Sequence, residues 1–354
     1  MKAFRDRATG ARVWQVTEGE SISHPTYFLQ SPFFPGDREM FFISYGTGDA
    51  QLFEISLDTG DTRQLTSGEA IHPYSAALHP NGETLIVTRG GGLWAIERRT
   101  LAQRRIVECP GAQLGECSIS RDGEWLTAAF QRGAMRGLVV GKIDGNAWRE
   151  IAFPRTVIHP QFHPLEPEWI EFAGDPAPRM HRVRRDGSGL ECLYEHGNDE
   201  FVVHETFLGG TGDLLFTVWP RALCRMDWTT RAISTIAEYN AWHIAPDREG
   251  KRVLCDANHP DEGLQIIDAA TGARRQLCLS ESSNQGTQWR KSSYAMAEDF
   301  EQARNQLSWM ENAVDTVYGP QWTHPHPSWS RDEHKVAFAS DRTGVTQVYV
   351  VEVT

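Results

Sequence analysis

The chain of 354 residues lacks an excess of positive charge: 35 Lys and Arg stand against 47 Asp and Glu, a formal net charge of −12. Non-specific binding to nucleic acid or to an anionic membrane is disfavoured on that ground. Nor does any apolar run approach the roughly 20 residues that a membrane-spanning helix needs. The start, Met1-Lys2-Ala3-Phe4-Arg5-Asp6-Arg7, is charged with no apolar segment behind it, so a cytoplasmic location is expected. Six cysteines (Cys109, Cys117, Cys192, Cys224, Cys255, Cys278) form no C-x-x-C pair, which argues against a disulfide framework and a thiolate zinc site. A Gly-rich phosphate loop, a G-x-S-x-G elbow and a basic-aromatic stripe are all missing, so nucleotide hydrolysis, serine hydrolysis and RNA binding have no motif.

What is present is an ordinary globular composition, 40% hydrophobic and 23% charged, organised as a repeat. Each unit has a turn, an apolar β-branched strand, a loop and a second strand ending in a polar turn. Pro35-Gly36-Asp37 leads MFFISY and QLFEISLDTG; Pro80-Asn81-Gly82 leads TLIVTRG and LWAIER; Arg121-Asp122-Gly123 leads EWLTAAF and LVVGKIDG. The same grammar returns after Pro164, Gly210, Pro246 and Arg331, making seven units about 40–46 residues apart, the period of four-stranded propeller blades. The gaps are too short and polar for the amphipathic helices of a doubly wound or TIM fold. An all-β, seven-bladed propeller spanning 1–354 as one domain is expected. The phrase T-G-x-x-x-x-(L/V) at Thr59-Gly60 and Thr271-Gly272 recurs at Thr9-Gly10, so the N-terminal segment is expected to close the last blade. The last interval is nearly double and leaves an insertion at about 280–320. Within it Met296, Phe300, Ala303, Leu307, Met310 and Val314 have helical spacing behind Ser292 or Ser293.

In a propeller, residues just before an inner strand and residues in the second-to-third-strand loop face the same funnel. His159, His204, His243 and His326 lie about seven or eight residues ahead of the turns of four consecutive blades, and Arg179 falls in a loop on that face. The segment Gln321-Trp322-Thr323-His324-Pro325-His326-Pro327 is the sharpest cluster. Residues two apart on an extended strand share a side, and Pro325 biases His324 toward extended geometry, so the two imidazoles can converge on one cation. Imidazole with an amide oxygen suits a borderline or harder divalent metal, and blade register brings His243 to the same mouth. His204 is followed by Glu205, but position 208 is Leu, so no H-E-x-x-H zinc helix exists. A free imidazole titrates near ~6.5, which suits a general base. His72, His79, His163, His181, His196 and His334 read as surface or inter-blade hydrogen-bonding residues.

At this point the chain resembles the oligogalacturonate lyases, propeller enzymes of pectin degradation. The resemblance spans most of the chain. It is densest in QWTHPHPSWSRDEHKVAFASDRTG, with further matches in His204-Glu205-Thr206-Phe207 and in the start motif His24, Tyr27, Phe28, Gln30. It implies a divalent ion, most often Mn²⁺ with Fe, Ni, Co or Zn as alternatives, held by His243, Gln321, His324 and His326. It implies His204 as the base, Arg179 as the clamp on the substrate carboxylate, and His24, Tyr27, Gln30 and His159 as substrate contacts. The segments Asp175-Pro176-Ala177-Pro178 and Gln131 to Arg136 depart from the family pattern at the funnel wall. The implied reaction is β-elimination on small oligogalacturonides. Competing expectations are a lyase for another uronate oligomer, a hydrolytic metalloenzyme and a non-catalytic Tol-type ligand-binding propeller. The oligomeric state stays open.

Overall fold

The computed structural model describes residues 1–197, 199–257, 260–283 and 321–353. They form seven antiparallel sheets, six of four strands and one of five, as the repeat requires. Blade 1 runs Ser23–His24, Glu39–Ser44, Gln51–Ser56 and Thr62–Gln64 from the axis outward. Blades 2 to 6 follow with inner strands Ala77–Leu78, Gln113–Ile119, Thr156–Phe162, Phe201–Phe207 and Ala241–Pro246. Blade 7 contains Ser328–Trp329, Lys335–Ser340 and Gln347–Glu352, and is completed from the other end of the chain. Arg12–Gln15 pairs antiparallel with its third strand (Val13 opposite Val351), and Lys2–Arg5 adds a fifth. The helix expected within 280–320 falls outside the described residues, apart from 280–283, which are not helical.

Burial grades along each blade. Second strands such as TLIVTR and KVAFAS are enclosed on both faces by the neighbouring blades, so they are apolar almost throughout rather than alternating. Outermost strands such as Thr62–Gln64 and Lys2–Arg5 are largely exposed. The core is accordingly divided into seven apolar clusters, one between each pair of adjacent blades. The ring shuts where Phe33 and Met40 of blade 1 pack on Ala337, Val348 and Val350 of blade 7. Loops on one rim are latched from blade to blade. The ring nitrogen Nε2 of His79 bonds the carbonyl of Gly123 (3.0 Å), and that of His163 bonds Gly212 (3.1 Å), the inter-blade role expected of these two histidines. Gly123 has φ +79°, and a Cβ there would sit 2.5 Å from His79 Nε2, so the latch demands glycine. Asp37 takes the backbone N–H groups of Arg331 and Asp332, which latches blade 7 to blade 1.

Val13 is fully buried in the cluster with Leu254, Phe338, Tyr349 and Val351, whereas Phe4 on the fifth strand is 36% exposed. Val13→Asp, which buries an unpaired carboxylate, is expected to cost on the order of 3–5 kcal/mol in urea unfolding. Phe4→Ser is expected to stay within about 0.5 kcal/mol.

Candidate metal centre and catalytic site

A β-bulge recurs at one position of the inner strands. Register slips between Leu114 and Cys117, Ile158 and Gln161, Val203 and Thr206, and Ala241 and Ile244. The extra residue turns a side chain toward the axis, and the residues within these bulges include Glu116, His159, His204 and His243. Three of the histidines expected just ahead of inner strands therefore lie within them. His159 and His204 both have φ 55°, a left-handed conformation uncommon for non-glycine residues and typical of functional positions. His326, at φ 44°, and His324 come instead from the turn after Gln321–Thr323. That turn is tied down by the bond from Ala339 N–H to the Pro325 carbonyl (2.8 Å) and by Ser282 Oγ donating to the Thr323 carbonyl.

These elements bring the predicted residues together. One ring nitrogen each of His243, His324 and His326 lies within 4.8 Å of the others, and all three side chains are buried. His243 Nδ1 is 2.7 Å from Asp256 Oδ2, and its backbone N–H donates to Oδ1 (2.7 Å). With Asp256 ionised its oxygens accept only, so Nδ1 carries the proton and Nε2 presents a lone pair. That Nε2 is fully buried and has no hydrogen-bond partner among the described residues, an arrangement that would be costly unless an ion takes the lone pair. The three-imidazole donor set fits a borderline divalent metal. Gln321 sits by its backbone at the head of the same turn.

His204 is next to the metal-type cluster, its ring centroid 4.5 Å from that of His243 and 5.9 Å from that of His159. Burial, then the neighbouring His243, His159 and Arg179, hold its pKa well below the usual value, so the ring is neutral and its lone pair free of a proton. Arg179 reaches in from the loop between the second and third strands of blade 4. Its Nε bonds Glu205 Oε1 and its Nη1 bonds both oxygens of Asp175 (2.7 and 2.8 Å), leaving Nη2 as the guanidinium nitrogen outside these bonds. Burial works against its charge, and Asp175 and Glu205 more than restore it.

The loop after His24 lays Tyr27 and Phe28 across the axis. Tyr27 Oη is 2.7 Å from His159 Nε2, and its ring centroid is 4.9 Å from that of His326; the Phe28 ring centroid is 5.4 Å from those of both His204 and His243. His24 is buried with Nδ1 on the Pro25 carbonyl (2.8 Å) and its ring 5.0 Å from Tyr74. Gln30 is the exception among the expected contacts. It is half-buried, its backbone closes the turn from Tyr27, and its side chain makes no hydrogen bond among the described residues. His181, expected at a surface or inter-blade contact, takes the inter-blade one: it is buried, packs on Phe153 of blade 3 with ring centroids 4.9 Å apart, and is bonded to Arg155 and the Arg179 carbonyl.

Sequence reasoning missed the carboxylates behind the histidines. Asp256, Glu116 and Glu205 are distant in sequence from most of what they hold, so spacing carries no sign of them; Glu205 alone was flagged by its place beside His204. Two expectations follow. Asp256→Asn should weaken divalent-metal affinity about 10–100-fold by calorimetry. Burial lowers His24 to about 4 and His72 to about 3. Below the unfolded value near ~6.5 the unfolded chain takes up protons that these folded rings refuse. Stability is thus fully present above that value and falls as pH drops toward 4, by up to about 1.4 kcal/mol per pH unit for each ring. Urea unfolding should show a shallower fall in His24→Gln.

The chain is 22% identical to oligogalacturonide lyase of Pectobacterium atrosepticum and 21% identical to oligogalacturonate lyase of Dickeya dadantii, each alignment covering 99% of this chain and 95% of the relative. Among solved structures, an oligogalacturonate lyase in complex with manganese superposes with a TM-score of 0.84 at 18% identity, over 100% of this chain and 96% of that one. Oligogalacturonate lyase from Vibrio parahaemolyticus gives 0.82 at 18%, with the same coverage. No protein-family model matches the chain. The resemblance to oligogalacturonate lyases read from the sequence is borne out: the chain is similar to them along its whole length and has their seven-bladed fold.

Proposed function

We propose that this protein is a metal-dependent lyase that cleaves 1,4-linked oligogalacturonides by β-elimination, with the whole propeller acting as one domain. The observation that carries the reading is the convergence of His243, His324 and His326 beside a neutral His204 and the buried Arg179, in a chain similar to such lyases over 99% of its length. A cytoplasmic setting accords with six unpaired cysteines. No helix among the described residues is long and apolar enough to cross a membrane.

The C5 hydrogen of a uronate is acidic only when the charge on the adjacent C6 carboxylate is neutralised. His243, His324 and His326, with Gln321 as the sequence resemblance implies, would hold a divalent ion such as Mn²⁺, which would supply Lewis acidity toward that carboxylate. Arg179 supplies a fixed cation from the blade 4 side, kept charged by Asp175 and Glu205 and preorganised to meet developing enolate charge. His204 takes the C5 proton. The C5–H electron pair becomes the C4–C5 double bond as the C4–O bond breaks. The leaving oxygen takes a proton from water, so one glycosidic bond yields a 4,5-unsaturated uronate and a new reducing end. His204 is a weak base in so buried a place, and the reaction therefore leans on charge neutralisation at the carboxylate. Tyr27, His159, His24 and Gln30 are the substrate contacts of this reading.

The test is to strip the protein of metal, restore Mn²⁺, and follow the ultraviolet absorbance of the conjugated product with di- and trigalacturonate. A metal-dependent rise is expected. A flat trace with metal bound overturns the oligogalacturonide assignment in favour of another uronate or hydrolysis, and a flat trace with no metal bound favours a binding propeller. His204→Ala should lose turnover by about 10²–10⁴ while keeping its metal. His324→Ala and His326→Ala should lose both, and a full metal complement in either would refute the coordination.

A further inference from the structure

Glu205 is fully buried, one residue beyond His204 on the bulged inner strand of blade 5. Its two carboxylate oxygens are divided between two site residues. Oε1 accepts from Arg179 Nε, and Oε2 is 3.2 Å from His159 Nδ1. Its backbone carbonyl is pinned as well, accepting from Gln161 Nε2 (2.9 Å), while Gln161 Oε1 accepts from Thr206 Oγ1 (2.8 Å). The carboxylate therefore has no freedom to serve one partner at the expense of the other.

We propose that Glu205 is the positioning residue of the site, a single buried carboxylate that locks the Arg179 guanidinium and the His159–Tyr27 pair into one rigid unit. The inference rests on the lyase reading for its effect on turnover, though not for its effect on His159. Because a carboxylate accepts only, His159 must donate from Nδ1, and in the neutral ring Nε2 then accepts from the Tyr27 hydroxyl 2.7 Å away. The tautomer of a ring in blade 4 and the direction of a phenol from blade 1 are thus set by one residue of blade 5. The other carboxylates nearby have separate duties. Asp175 grips Nη1 of Arg179 from the more exposed side, and Glu116 accepts the backbone N–H of His159 (2.6 Å). Glu171, also fully buried, has its carboxyl pushed well above the usual carboxylate range by burial and by the charge on Glu205. In Glu205 burial acts the same way, but Arg179 and His159 outweigh it and hold the carboxyl at about 2. Of these two buried carboxyls it is Glu205 that lies between the cation and the imidazole that favour its negative charge.

Glu205→Gln preserves shape and removes the charge. Its amide NH₂ faces His159 Nδ1 and forces the opposite tautomer, with Nε2–H toward Tyr27. The decisive measurement is the ¹⁵N spectrum of histidine-labelled protein loaded with diamagnetic Zn²⁺, with the His159 signals assigned through His159→Gln. It is paired with kcat and KM on digalacturonate and with bound Mn²⁺ per chain. The expected result is a switch of His159 from Nδ1–H to Nε2–H, unchanged metal content, and a loss of about 10²-fold in kcat/KM from a misplaced clamp. Glu205→Asp keeps the charge on a shorter arm and should retain the Nδ1–H tautomer while raising KM. An unchanged His159 tautomer in Glu205→Gln, or wild-type kcat and KM, overturns the proposal. So does failure of both variants to fold, which would make the role purely structural. Should the wild-type protein yield no unsaturated product, the lyase reading fails by itself, and the ¹⁵N spectra still decide whether Glu205 sets His159.

Discussion

The site depends on the bulge in the inner strands. A regular strand alternates its side chains between the two faces of its sheet, and in a propeller both faces are occupied by neighbouring blades. Residues facing the axis require a break in that alternation. The slips around Glu116, His159, His204 and His243 provide it in four successive blades. Left-handed backbone at His159 and His204 is the local cost. It is offset by partners such as the half-buried Glu116, whose carboxylate takes the His159 N–H.

Around this geometry the charges are arranged by burial. The imidazoles of His24, His204 and His243 are too desolvated to take up a second proton, which leaves each ring one lone pair for a cation or for a carbon acid. Arg179 stays charged because two carboxylates face it. An acidic protein of net charge −12 is compatible with a polyanionic ligand on these terms. Surface charges are screened over about 8–10 Å at physiological salt, whereas Arg179 places a fixed cation at the axis itself.

The scaffold serves the site by being rigid in a distributed way. Seven separate apolar clusters lie between blades, and rim latches such as His79 to Gly123 and Asp37 to Arg331 join one blade to the next. Closure by Arg12–Gln15 ties the two ends of the chain into one sheet. Residues from blades 4, 5, 6 and the turn before blade 7 can then meet at the axis within hydrogen-bonding and coordination distances, which a ring with one open seam would hold less firmly.

Much of this was legible in the sequence. Turn signals at regular intervals, continuous β-branched runs and the repeated T-G phrase specify a propeller because each is a local consequence of strand and turn chemistry. The Gln321–His326 segment announces neighbouring imidazoles because its histidines are two residues apart, so their proximity needs no tertiary information. The tertiary structure decided what spacing cannot encode. It placed His159, His204 and His243 inside bulged strands rather than ahead of them. It moved the Gln30 side chain out of the hydrogen-bonding network, and it supplied Asp256 and Glu205 as the carboxylates that set imidazole tautomers. The physical reason is that a bulge and a buried ion pair both arise from pairing between strands or blades. Their energies depend on partners tens of residues away, and nothing in the local pattern of either partner records the match.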